Sequence, residues 1–115
     1  MTVDEIATIV RAWFGRVEMA YGPVLPGGWF GGRPYENGFH LERVDTIDQG
    51  LAIHMSGWVS LTFYRPRAAA IDHGDLVIRE FDSATLEWDA DGITRKRQYT
   101  HGEVRLVPPL AVRGA

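Results

Sequence analysis

"LAIHMSGWVSLTFY", residues 51–64, is the stretch on which the fold turns. Apolar residues alternate with small or polar ones on both sides of Ser56-Gly57, the pattern of two half-buried strands joined by a tight turn. The loop length decides which side chains share a face, because a one-residue slip exchanges a strand's two faces. A two-residue loop would place His54 among Val59, Leu61 and Phe63. A three-residue loop, Met55-Ser56-Gly57 with Gly57 left-handed, instead groups Leu51, Ile53, Val59, Leu61 and Phe63 into one apolar face. The second choice follows, and the other face then carries Ala52, His54, Trp58, Ser60, Thr62 and Tyr64.

Working outward, the same period of two continues from Phe39 to Leu106, broken by Asp48-Gln49-Gly50, Asp82-Ser83, Asp91-Gly92 and His101-Gly102. A succession of short strands and turns predicts hairpins, and hairpins make an antiparallel sheet. With a two-residue turn at Asp91-Gly92, Glu87 faces Lys96 on a polar face. The reverse face then holds Leu86, Trp88, Arg95, Arg97 and Tyr99. Two-residue turns at Asp82-Ser83 and His101-Gly102 add Val77, Arg79, Phe81, Val104 and Leu106, so that Arg79, Leu86, Arg97 and Leu106 form one row across four strands. Three arginines on an otherwise apolar face each require a carboxylate, an aromatic face or a ligand, because a lone buried charge is costly.

Ahead of the strands, Thr2 and Glu5 have the spacing of a capping box. Ile6, Ile9, Val10, Trp13, Val17 and Tyr21 follow at helical intervals until Gly22-Pro23, which predicts one amphipathic helix over about residues 3–20, with Gly15 as a weak point. The expected class is α+β: an N-terminal helix packed on a curved antiparallel sheet, a hairpin meander of about six to eight strands with a barrel-like tendency.

The chain has 115 residues, 45% of them hydrophobic and 23% charged, which suits one globular domain over 1–115. No apolar run approaches the length of a membrane span, and the N-terminus lacks the basic-then-apolar order of a signal peptide. There is no cysteine, so disulfides, thiolate metal sites and a cysteine nucleophile are excluded. These features set the expectation of a cytoplasmic protein. The net charge of −3 argues against a nucleic-acid partner. Every strong cation but Lys96 is an arginine, whose planar fork suits carboxylates and phosphates.

The segment "GGWFGGRPYENG", residues 27–38, gathers glycine pairs around Trp29-Phe30 and ends in Asn37-Gly38. It contains neither the phosphate-loop nor the dinucleotide glycine pattern. Its expected role is architectural: glycines turn the chain while Trp29 or Phe30 plugs one end of the sheet, and Asn37-Gly38 turns into the next strand. The alternative is a flap over a pocket, with Arg33, Tyr35 and Glu36 reaching the ligand. Gly27-Gly28-Trp29 is similar to the Gly-x-Trp start of lipocalin-type barrels, and Arg97-Gln98-Tyr99 resembles the late-strand carboxylate clamp of the fatty-acid-binding relatives. That resemblance implies a barrel binding a small hydrophobic ligand.

Metal and catalytic motifs are thin. His40, His54, His73 and His101 fall on different segments, and a calcium loop placed around Asp89-Ala90-Asp91-Gly92 would begin at Glu87 and end at Gln98, both unsuited to it. No metal or cofactor is expected. No serine has a nucleophile-elbow context. Three readings result. The first is a non-catalytic protein with a pocket for a small anionic or aromatic molecule, lined by Arg79, Trp88, Arg95, Arg97, Tyr99, Trp29, Arg33 and Tyr35. The second is an accessory or inhibitor-type module that meets a protein partner, or a second copy of itself, through His54, Trp58 and Tyr64. The third is a small enzyme with His54 or His73 as general base.

Overall fold

The computed structural model describes residues 1–13, 20–21, 23–30 and 38–109. Helix α1 spans Val3–Arg11 and begins with the expected capping box: Glu5 N–H donates to the Thr2 hydroxyl and Thr2 N–H to the Glu5 carboxylate, both at 3.1 Å. The helix is shorter than its periodicity predicts. Trp13 N–H turns back to the Val10 carbonyl, a tightened last turn, and Ala20–Tyr21 is already strand. Ile6, Ala7, Val10 and Trp13 are buried, and the Arg11 guanidinium ties the helix to the Val44 carbonyl at 2.8 Å.

Twelve strands follow: β1 (Ala20–Tyr21), β2 (Val24–Leu25), β3 (Gly28–Trp29), β4 (Gly38–Phe39), β5 (Leu41–Ile47), β6 (Gly50–Met55), β7 (Val59–Tyr64), β8 (Ala68–Asp72), β9 (Asp75–Glu80), β10 (Ser83–Ala90), β11 (Ile93–Tyr99) and β12 (Val104–Leu106). Ten of them divide between two five-stranded antiparallel sheets, ordered β11-β10-β7-β6-β5 and β3-β2-β12-β9-β8, and β1 pairs with β4. The protein is therefore sheet-rich α+β with one described helix, but the strands do not form a single meander. Hairpins close at Asp48-Gln49, at Ser56–Trp58, at Asp91-Gly92 and at His73-Gly74. Asp82-Ser83 and His101-Gly102 are not hairpin turns. They are the places where the chain passes from one sheet to the other, since β10 pairs with β7 and β12 with β9.

The row of Arg79, Leu86, Arg97 and Leu106 is consequently not formed. Leu86 and Arg97 remain direct partners, whereas Arg79 and Leu106 lie in the other sheet. Strand β9 turns Leu76 and Ile78 into the core, and alternation then puts Arg79 on the opposite face with Val77. Helix α1 packs on β5 and β6. One apolar cluster joins α1 to Leu51, Ile53, Leu61, Phe63 and Leu86 of one sheet and to Leu25, Leu76, Ile78, Val104 and Leu106 of the other. Phe81 bridges the crossing, its ring edge-on to Phe63 at 6.0 Å.

The decisive hairpin keeps the expected faces with a loop displaced by one residue. Met55 pairs with Val59, Ile53 with Leu61 and Leu51 with Phe63, so the loop is Ser56-Gly57-Trp58. Moving a three-residue loop by one position preserves parity, so the apolar face survives and gains Met55. Trp58 leaves the strand and becomes a turn residue with φ 61°.

Candidate functional site

Two groups of side chains stand out. The first runs along one face of β10 and β11. Trp88 faces Arg95, Leu86 faces Arg97 and Ala84 faces Tyr99. The face is the expected one, but its arginines are not inward. Leu86 and Ala84 are wholly buried, while Arg95 and Arg97 are exposed, because β11 is the outer strand of its sheet. An edge position lets a long side chain rooted on the core face extend past the rim into water. Arg97 lies over Trp88, its guanidinium carbon 5.8 Å from the ring centroid. Phe30 meets Trp88 edge-on at 5.3 Å and stacks on Phe39 at 5.9 Å. The Tyr99 hydroxyl is buried with no hydrogen-bond partner among the described residues. Neither Arg95 nor Arg97 has a carboxylate within 4.0 Å among the described residues.

Arg79 does not join this group. Its Nε bonds Glu103 at 3.1 Å on an exposed part of β9. Trp29 is also exposed; it is Phe30, not Trp29, that packs against the aromatic cluster. Arg33, Tyr35 and Glu36 lie outside the described residues. The lipocalin-like expectation meets a different strand order: up-and-down barrels place consecutive strands side by side, whereas here β7 neighbours β10 and β9 neighbours β12.

The second group surrounds the 56–58 turn. His54, Trp58 and Tyr64 do not make one patch. Trp58 sits at the tip and Tyr64 at the far end of β7, about 20 Å away at 3.3 Å per residue. His54 instead faces Asp45, Nε2 to Oδ2 3.2 Å, and Asp45 also accepts from Arg43 Nε at 2.8 Å. The Arg43 hydrogen bond is the main cause that holds the Asp45 carboxyl below its ordinary pKa. A cleft of about 260 Å³ opens here, lined by Glu42, Arg43, His54, Met55, Trp58, Val59 and Ser60. An adjoining cleft of about 240 Å³ is lined by Glu42, Gly57 and Trp58. Glu42 and Arg43 escaped the sequence reading because Glu42 is the extra residue of a β-bulge, where the register shifts between Leu41 and Arg43. The parity of Met55 was the available clue: admitting it to the apolar face moves the loop onto Trp58.

His73 Nδ1 lies 3.0 Å from Asp72, but the pair is out on a hairpin tip. Asp72 is held low chiefly by its hydrogen bond to Arg105, which also bonds the buried Asp75 at 3.1 Å. This cluster ties β8, β9 and β12 together. Among the described residues no group of three or more His, Asp or Glu side chains is placed to hold a metal ion, and no helix is long and apolar enough to cross a membrane. No protein-family model, curated protein or solved structure matches the chain.

Proposed function

We propose that the protein is a non-catalytic binding protein for a small anionic or aromatic molecule, held on the face of β10 and β11 that carries Trp88, Arg97 and Tyr99. The observation that carries this reading is the buried Tyr99 hydroxyl, without a hydrogen-bond partner among the described residues, two residues along the same face from an arginine that lies over the Trp88 ring. A buried hydroxyl left unpaired costs about 1–3 kcal/mol, and a ligand acceptor there would remove that cost. Arg97 offers a two-pronged donor for a carboxylate or phosphate, while Trp88 and Phe30 supply apolar surface for a ring. Arg95, on the same face, adds positive field. The test is a thermal-shift screen with aromatic carboxylates and phosphorylated metabolites. Saturation at about 100 times the dissociation constant adds about 2.7 kcal/mol, enough to move the midpoint by several degrees. Arg97→Ala should abolish the shift; full retention of it in that variant would sink the assignment.

A second reading rests on His54, which lines the larger cleft and contacts Asp45, a histidine–carboxylate pair of the kind a general base uses. With Asp45 on Nε2, the other ring nitrogen would accept the proton, and Ser60 stands directly across the strand pair. Activated-ester turnover that falls in His54→Gln but not in His73→Gln would support it. No difference among wild type and both variants would remove it.

A further inference from the structure

Trp58 occupies a backbone position that glycine or asparagine would take more easily. Its φ is 61°, directly after Gly57 at 77°. A left-handed backbone costs a bulky L-residue roughly 1–2 kcal/mol. Its side chain is 83% exposed, so burial does not offset that cost. Glu42, the extra residue of the β5 bulge, stands beside it as a shared wall of both clefts. The Glu42 carboxylate has no cationic partner among the described residues, whereas its neighbour Arg43 is already taken by Asp45. The smaller cleft therefore offers one indole, one uncompensated carboxylate and a glycine that leaves room for an approaching group.

That chemistry selects the sign of the ligand. An indole attracts cations through its ring quadrupole, and Glu42 adds a full negative charge on the same side. An anion would be repelled by Glu42, and a neutral ring would desolvate it with nothing in return. We infer that the Trp58–Glu42 cleft binds an organic cation, an ammonium or guanidinium group, between the indole and the carboxylate. The larger cleft, with His54 and Ser60, receives the polar remainder of the molecule that bears the cation. This site is separate from the Arg97 face and of opposite charge preference.

The experiment follows the four indole N–H signals of the labelled protein, with Trp58 assigned by its loss in Trp58→Phe. The probes are agmatine, tetramethylammonium and a blocked Gly-Arg-Gly peptide, with 3,3-dimethylbutan-1-ol as a neutral control of similar shape. The Trp58 signal should move saturably with the cations and not with the alcohol. Tighter binding of agmatine than of the peptide assigns the cation to a small molecule, and the reverse assigns it to a side chain of a partner. Glu42→Gln, an exposed change that leaves the fold intact, should weaken binding about tenfold. Trp58→Gly should remove saturable binding and raise the thermal midpoint by relieving the backbone. No saturable movement with any cation, an equal response to the alcohol, unchanged affinity in Glu42→Gln, or a lowered midpoint in Trp58→Gly would each overturn the inference.

Discussion

Leu86 and Arg97 face each other directly across β10 and β11, yet Leu86 is wholly buried and Arg97 is exposed. Cross-strand pairing fixes only the face. Depth is set by position in the sheet: β10 lies between β7 and β11, while β11 has no neighbour beyond it among the described strands. Leu86→Ala should therefore cost about 3 kcal/mol through lost burial and a cavity. Arg97→Ala should change stability by less than about 0.5 kcal/mol. Urea unfolding followed by tryptophan fluorescence measures both, and comparable losses would show that Arg97 is part of the core.

Gly50 and Gly92 each resist a side chain, for different reasons and by different amounts. A Cβ at Gly50 would overlap the Phe63 carbonyl oxygen of the paired strand. Gly50→Ala should therefore destabilise by about 3 kcal/mol or more, since the obstacle is backbone and cannot swing away. At Gly92 nothing lies within 4 Å of an added Cβ, but φ is +77°. Gly92→Ala should cost only about 1 kcal/mol, and Gly92→Asn less, because asparagine tolerates that backbone. Equal midpoints for Gly50→Ala and Gly92→Ala would contradict the steric argument.

Arg105 joins three carboxylates: Asp72 at 2.8 Å, Asp75 at 3.1 Å and Glu103 at 3.4 Å. Asp75 is buried, so Arg105→Met removes a charged partner of a carboxylate that has little access to water. The expected cost is about 2–3 kcal/mol, the lower side of what breaking a buried pair entails, because Arg105 is partly solvated. The exposed Lys96–Glu87 pair, at 3.8 Å, should contribute less than about 0.5 kcal/mol in the same assay. A smaller loss for Arg105→Met than for Lys96→Met would reverse this ranking.

Acid should weaken the Asp72–Arg105 pair together with two others. Asp72, Asp82 and Asp45 are each held below the ordinary carboxyl pKa, first by hydrogen bonds from Arg105, Arg67 and Arg43 respectively. A depressed folded pKa gives stability that is complete above the unfolded value, about 4, and is lost as pH falls through the lower folded value. The urea midpoint should accordingly show no loss from these groups between about pH 7 and 5 and should drop below about pH 4. Asp72→Asn should flatten that drop. An identical acid profile in the variant would remove Asp72 from the account.

Tyr99→Phe separates structure from binding. Removing a buried, unpaired hydroxyl should leave the free protein as stable or more stable by about 1 kcal/mol. The same change should weaken an anionic ligand that uses the hydroxyl. A destabilised free protein, measured by thermal unfolding without ligand, would mean that the hydroxyl has a structural partner.

The sequence by itself determined the elements that local chemistry specifies. Thr2 and Glu5 announced the helix start, Asp91-Gly92 fixed the β10–β11 register with Glu87 opposite Lys96, and the alternation of Leu51, Ile53, Leu61 and Phe63 named the core face. Period and turn chemistry act over a few residues and can be read along the chain. The early end of the helix, the passage between sheets at Asp82-Ser83 and His101-Gly102, and the exposure of Arg95 and Arg97 were decided only by tertiary structure. A turn signal says that the chain reverses or bends, not which strand it meets next. Strand neighbours are chosen by burying Phe81, Val104 and Leu106 together with residues far away in sequence. The cleft at Trp58 has the same origin: Glu42 and Trp58 stand sixteen positions apart, and only the bulge in β5 and the pairing of β5 with β6 bring them to one wall.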